Sequence, residues 1–134
     1  MIKKIVRDGI RYEIMENNEV AILGLRNKDI KYLVIPDEVE GMPVKWINEH
    51  AFMGEHFETV SLPKGITVIP NAAFYNCHAL KKIEFRGNGD GEIRIMQCGI
   101  GFCNNLKSIK STRPIKKVFG EASIQECNKL KFMV

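Results

Sequence analysis

One apolar pattern, φxxφxφ with φ an apolar side chain, recurs along the chain and decides what it can fold into. Its copies are Ile30/Leu33/Ile35, Phe57/Val60/Leu62, Leu80/Ile83/Phe85, Leu106/Ile109/Ser111 and Leu130/Met133, with first positions 27, 23, 26 and 24 residues apart. A second ladder lies between them: Ile47, Ile69, Ile95 and Phe119 each stand five residues before Phe52, Phe74, Ile100 and Ile124. Small residues (Ala51, Ala73, Gly99, Ser123) directly precede the latter, and Cys77, Cys103 and Cys127 follow the last three at the third place. Self-similarity at a period of roughly 20–29 residues marks a solenoid, each turn too small to bury its apolar face until a neighbour stacks on it.

Alternation within φxφ predicts a short strand with its apolar side chains inward. The segment around Phe52, Phe74, Ile100 and Ile124 reads as a short helix or helical turn on the opposite wall, so the expected class is an α/β repeat solenoid. Pro36 and Pro63 directly follow strand residues and mark strand ends, while Pro43, Pro70 and Pro114 punctuate connecting loops. Ahead of the repeats, Ile10–Ile14 and Val20–Ile22 alternate around an Asn17-Asn18 turn and predict a β-hairpin cap. The expected organisation is one continuous domain, with a cap over residues 1–29 and, over 30–134, about four units plus a final strand. With no polar cap after Leu130, that strand ends on an open edge, which invites a homodimer through Leu130–Val134 or a longer array.

At this point the residues carry a resemblance. Leu33-Val-Ile-Pro36 through Pro43-Val-Lys-Trp-Ile47-Asn-Glu-His-Ala-Phe52, and Val60-Ser-Leu-Pro63 through Ile69-Pro-Asn-Ala-Ala-Phe74-Tyr-Asn-Cys77-His-Ala-Leu80, resemble the BspA-like, or Treponema-type, leucine-rich repeats. The third and fourth units lose the Ala-Phe and Ile-Pro pairs but keep the Cys and Leu positions. The resemblance implies a right-handed leucine-rich-repeat superhelix used for contact with proteins or extracellular matrix, commonly in bacterial surface proteins, and no enzymatic activity. Against a surface location, the start Met1–Gly9 lacks the apolar run of roughly 7–15 residues that a secretory signal needs. No stretch approaches the ~18 apolar residues of a membrane span. As written, the chain reads as cytoplasmic and not membrane-inserted, whereas the resemblance points to the cell surface or secretion.

The residues that invite chemistry have plainer explanations. Cys77, Cys103 and Cys127 recur one per repeat without a CxxC pair, which suits small buried hydrophobes better than zinc ligation or a disulfide framework. Cys98 lies off that ladder. No nucleophile or acid is fixed by repeat geometry beside His50, His56 or His78. The run Arg86-Gly-Asn-Gly-Asp-Gly91-Glu lacks the Lys-Ser/Thr of a phosphate-binding loop and the acidic spacing of an EF-hand. It is read as an insertion turn, with weak calcium binding through Asp90 and Glu92 as the alternative. No catalytic residue, metal or cofactor is expected.

The outward x positions carry the functional signal. Strands about 4.8 Å apart align equivalent residues into columns. The first column is Lys31, Glu58, Lys81, Lys107, Lys131; the second Tyr32, Thr59, Lys82, Ser108, Phe132; the third Val34, Ser61, Glu84, Lys110, Val134. The chain holds 20 Lys plus Arg against 16 Asp plus Glu, a net charge of only +4, so clustering matters more than the total. Six lysines against two glutamates make this face basic. The expected binding residues are Tyr32, Lys81, Lys82, Lys107, Lys110, Lys131 and Phe132, for an acidic protein segment or an acidic glycan. Nucleic acid is disfavoured by the sparse aromatic interleaving.

Overall fold

The computed structural model describes residues 3–87 and 91–133, at 132–133 for the backbone only. Strands β1 (Lys3–Arg7), β2 (Ile10–Ile14) and β3 (Val20–Leu25) form an antiparallel meander. The first unit then contributes β4 (Tyr32–Val34), β5 (Glu38–Val39) and β6 (Met42–Ile47). The second has β7 (Thr59–Leu62), β8 (Val68–Ile69) and β9 (Phe74–Tyr75); the third, β10 (Lys82–Phe85), β11 (Ile93–Ile95) and β12 (Ile100–Gly101). The fourth has β13 (Ser108–Lys110), β14 (Ile115–Lys117) and β15 (Ile124–Gln125), and β16 (Phe132–Met133) follows.

These strands stack into three parallel ladders. The first runs β4-β7-β10-β13-β16, with Leu33, Val60, Ile83, Ile109 and Met133 in one register. Leu33, Val60, Ile83 and Ile109 are at most 1% exposed, as the alternation predicts. The second ladder is β8-β11-β14 and the third β9-β12-β15. Between the ladders, Phe52, Phe57, Leu80, Cys103 and Leu106 are fully buried, and Phe52 stacks on Phe74 with ring centroids 5.2 Å apart.

The wall expected to be helical is a strand ladder, so the fold is a β-solenoid and not an α/β one. A 3-10 turn, Gly120–Ala122, is the one helical element among the described residues. The reason lies in where the backbone bonds go. Phe52 N–H donates to Ala73 O (3.0 Å), Phe74 N–H to Gly99 O (2.9 Å) and Ile100 N–H to Ser123 O (3.2 Å), each to the next turn of the solenoid. Left-handed residues bracket each short strand: Ala72 and Cys98 lie before β9 and β12, and Asn76, Phe102 and Glu126 lie after β9, β12 and β15. So few residues between left-handed positions cannot nucleate a helix, whereas bonds to the next turn satisfy every unit alike.

Phe119 also departs from expectation, being 49% exposed while Ile47, Ile69 and Ile95 are buried. Lys117, not Phe119, stands opposite Ile95, and the third ladder resumes with Ile124 opposite Ile100. The surplus residues bulge into the 3-10 turn. Ser123 secures it, donating its hydroxyl to Ile95 O (2.7 Å) and accepting from Phe119 N–H (2.9 Å).

The hairpin placed at Ile10–Ile22 is present as β2 and β3. It gains β1 through an Asp8-Gly9 turn with both residues left-handed, φ 51° and 80°. Asp-Gly between alternating segments is a strong hairpin signal. Strand β3 pairs in parallel with β6, Ile22 opposite Ile47, which joins the meander to the repeats. Pro43 lies within β6, opposite Glu38, and not in a loop.

Two stability outcomes follow. Leu80→Ala and Leu106→Ala should each cost roughly 2–5 kcal/mol in denaturant unfolding, while Lys81→Ala, on the outer face, should cost under about 1 kcal/mol. In Gly99→Ala the new Cβ would lie 2.8 Å from Ile95 Cγ2 and 3.1 Å from Ile69 O. It should therefore destabilise by about 1–3 kcal/mol, although alanine is accommodated at the equivalent position 73.

Candidate binding face

The outward face of the first ladder aligns its residues as the columns require. Tyr32, Thr59, Lys82, Ser108 and Phe132 are in register, as are Val34, Ser61, Glu84 and Lys110. Tyr32, Lys81, Lys107, Lys110 and Lys131 are exposed and Lys82 is half-buried. The side chain of Phe132, and all of Val134, lie outside the described residues.

Ion pairing divides the lysines. Glu58 sits between two of them, with Lys31 Nζ at 3.2 Å and Lys81 Nζ at 3.1 Å. Hydrogen bonds from Lys81 and Lys31 hold its carboxyl below the usual carboxylate range, and the same contact raises Lys31. Lys110 Nζ lies 3.6 Å from Glu84. Among the described residues, no ion pair engages Lys82, Lys107 or Lys131. The free positive charge is therefore concentrated toward the C-terminal half of the face. Lys31, Glu58 and Lys81 are column neighbours of alternating sign, so the cross-strand rule makes this pairing legible from the columns themselves.

Arg86 has a role that its loop reading missed. Its guanidinium donates to Ser61 O (3.0 Å), Ser61 Oγ (2.8 Å), Asp37 Oδ1 (3.1 Å) and Ile35 O. It thereby ties three successive turns together at the end of the face. The Asp37 carboxyl is held below its ordinary value, chiefly by the Lys64 backbone N–H and further by Arg86. Beside Arg86, a shallow cleft of about 310 Å³ is lined by Glu84, Gly87, Lys110 and Thr112. Asp90 lies outside the described residues, and Glu92 is exposed. Among the described residues, no group of three or more His, Cys, Asp or Glu side chains could hold a metal ion.

The cysteines take part in packing. All four are free thiols. Cys77 Sγ donates to Phe52 O (3.0 Å) and Cys103 Sγ to Phe74 O (3.1 Å), each reaching back to an earlier turn. The Cys127 thiol pulls Cys103 down, but the bond with Cys77 and burial outweigh it and push Cys103 up to about 12. Cys127 is raised by its contact with Cys103 and by burial. A raised pKa keeps the Cys103 and Cys127 thiols protonated at neutral pH, which disfavours them as nucleophiles or ligands. His50, His56 and His78 are all exposed.

Arg113 is the one oddity of the interior. It is only 3% exposed, and its Nε and Nη2 have no hydrogen-bond partner among the described residues. Desolvation lowers its pKa.

The family description "BspA type Leucine rich repeat region" matches residues 25–134 in six copies. The chain belongs to the BspA-type leucine-rich repeat family. Its fold is similar to that of a leucine-rich repeat protein from Bacteroides capillosus, at 22% identity and a TM-score of 0.76 over 98% of both chains. It is also similar to a leucine rich cell surface protein from Faecalibacterium prausnitzii, at 19% identity and a TM-score of 0.65, over 97% of this chain and 38% of that one. A third match is the leucine rich repeat protein of T. pallidum, at 18% identity and a TM-score of 0.58, over 98% of this chain and 81% of that one. Among curated proteins none matches this BspA-type chain.

An arginine buried without a counter-charge costs stability at every accessible pH, because it stays protonated. Arg113→Met should raise unfolding stability by about 1–4 kcal/mol, measured by denaturant titration.

Proposed function

We propose that this protein is a non-catalytic binding module whose first-ladder face contacts an acidic segment of another protein. Membership of a family of generally protein-binding repeat scaffolds supports the reading. What carries it is the charge distribution: Glu58 and Glu84 pair with Lys31, Lys81 and Lys110, and Lys82, Lys107 and Lys131, with no ion pair among the described residues, form the cationic patch. Ammonium groups on long aliphatic stems suit carboxylates presented on an extended segment, and attraction at such a patch is sensitive to salt. Tyr32 lies two strands from Lys82 and offers an apolar contact at the far end of the face; Phe132 would extend the patch beyond Ser108. In this reading residues 1–29 serve as the cap and 30–134 as the ligand-presenting stack. Proteins of this family often occupy the cell surface, and we place this one there. Among the described residues, no helix is long and apolar enough to cross a membrane.

A second reading, assembly through the C-terminal end, has its own support. Ile115, Ile124, Cys127 and Leu130 are only partly buried, whereas their counterparts one turn earlier, Ile93, Ile100, Cys103 and Leu106, are fully buried.

The test is binding of a poly-glutamate peptide by isothermal calorimetry, with heparin as the acidic-glycan probe. The double reversal Lys82→Glu with Lys107→Glu should weaken peptide binding about tenfold or more, since two exposed pairs contribute up to about 1 kcal/mol each. Lys3→Glu with Lys4→Glu, the same charge change on the cap, should have little effect. Equal losses in both double variants would show that net charge alone governs binding. Capture of heparin but not of the peptide would assign the patch to glycans.

A further inference from the structure

The first ladder ends, on its N-terminal side, at β4. Lys31 O accepts from Glu58 N–H (2.7 Å), and Ile35 N–H donates to Ser61 O (3.1 Å). Residues 31, 33 and 35 thus aim their backbone groups at the second unit. Alternation turns the N–H and carbonyl of Tyr32 and Val34 to the opposite side, along the open edge. No partner for those groups stands among the described residues. Tyr32 and Val34 are each 64% exposed, more than any other large apolar side chain described.

Three other edges of the molecule carry charge, whereas β8, β9, β15 and β16 hold none within their strands. β1 has Lys3, Lys4 and Arg7, β5 has Glu38, and β14 has Lys116 and Lys117. Charged residues of this kind keep sheet edges from pairing. The edge of β4 is Tyr-Leu-Val, and the charge directly before it, Lys31, is paired with Glu58.

We propose that β4 pairs antiparallel with β4 of a second copy across a two-fold axis, joining the two first ladders into one continuous sheet. The geometry selects a single register. With Leu33 opposite Leu33, Tyr32 faces Val34 of the second copy, and in both such pairs the backbone groups that point outward meet and exchange hydrogen bonds. The outward side chains then form an aromatic against β-branched pair on each side of the axis, a favoured cross-strand combination. Sliding the copies one way sets Pro36, which has no N–H, opposite Tyr32; sliding them the other way requires Ile30, which lies outside β4. A closed two-fold contact of this kind uses the same patch on both copies and leaves no edge of β4 to recruit a third.

Sedimentation velocity of the full chain from micromolar to millimolar concentration tests this. The wild type should pass from monomer to dimer. Val34→Pro removes only the edge-facing N–H and keeps the bonds to β7, because proline is tolerated where its nitrogen faces away from the ladder. It should fold, as checked by thermal unfolding, and dimerise at least about tenfold more weakly. Val34→Lys, which leaves the backbone intact, should do the same and stands in if the proline variant does not fold. Binding of poly-glutamate should survive both changes, which separates this contact from the lysine patch. A wild type that stays monomeric up to millimolar concentration overturns the proposal. So do variants that associate as the wild type does, an outcome that assigns association to the C-terminal end around Leu130.

Discussion

Every turn of this molecule depends on its neighbours for hydrogen bonds. The strands are two to six residues long, and little of the backbone is satisfied within its own turn. Instead N–H groups of one turn meet carbonyls of the turns before and after it, at the strands and at the corners alike. Turns must therefore keep a common path even where their lengths differ. That requirement explains the left-handed residues on either side of β9 and β12, the small residues at 51, 73, 99 and 123, and Gly99 in particular, where a methyl group would press on Ile95. It also explains how the last turn absorbs its surplus residues. They are confined to a 3-10 bulge, where Ser123 bonds Phe119 N–H and adds a second bond to Ile95 O, which also accepts from Val118 N–H.

Because stacking satisfies the interior, outward positions are released from the fold and answer mainly to one another. Equivalent residues stand about 4.8 Å apart, close enough for charges in one column to pair. Glu58 is held between Lys31 and Lys81, and Arg86 reaches back across two turns to Asp37 and Ile35. The face thus has two parts. Its N-terminal half is stitched by internal ion pairs, and its C-terminal half presents lysines whose counter-charge must come from solvent or a partner. Exposed pairs add little to stability, so the effect of the pairing is to locate the charge.

How far the fold was legible follows from the same physics. Inward positions repeat because burial constrains each turn alike, so Leu33, Val60, Ile83 and Ile109, and the Cys and Leu positions, could be read directly from spacing. The third ladder was misread as helix. Ala-Phe flanked by polar residues satisfies a helical and an extended pattern equally over so short a run, and only bonds between turns decide it. Phe119 was misplaced because its five-residue spacing to Ile124 copied that of Ile95 to Ile100, while the register had shifted and brought Lys117 opposite Ile95. On the candidate face the register follows the column spacing, and the alternation Lys31, Glu58, Lys81 along one column shows which lysines have a carboxylate as neighbour. The role of Arg86 was beyond reach: its acceptors at Ile35 and Asp37 lie two turns away, and three of its four are not themselves charged.

The two ends of the solenoid close differently, and this bears on how such a module meets its surroundings. At the N-terminal end, β3 pairs with β6, and the corner from His50 to Gly54 covers β9 through bonds to Asn71, Ala73 and Tyr75. The meander thus covers β6 and the first-unit corner covers β9, while the outer edge of β4 has no strand partner among the described residues. Toward the C-terminal end of the described residues, Ile115, Ile124 and Leu130 are only partly buried. The molecule therefore offers two kinds of contact. Lysines on the face act through charge, which ions screen over about 10 Å; strand edges act through backbone bonds and apolar side chains, which salt barely weakens. Because Lys82, Lys107 and Lys131 belong to the third turn and beyond, the charge of the face can change without altering the strand edge at β4.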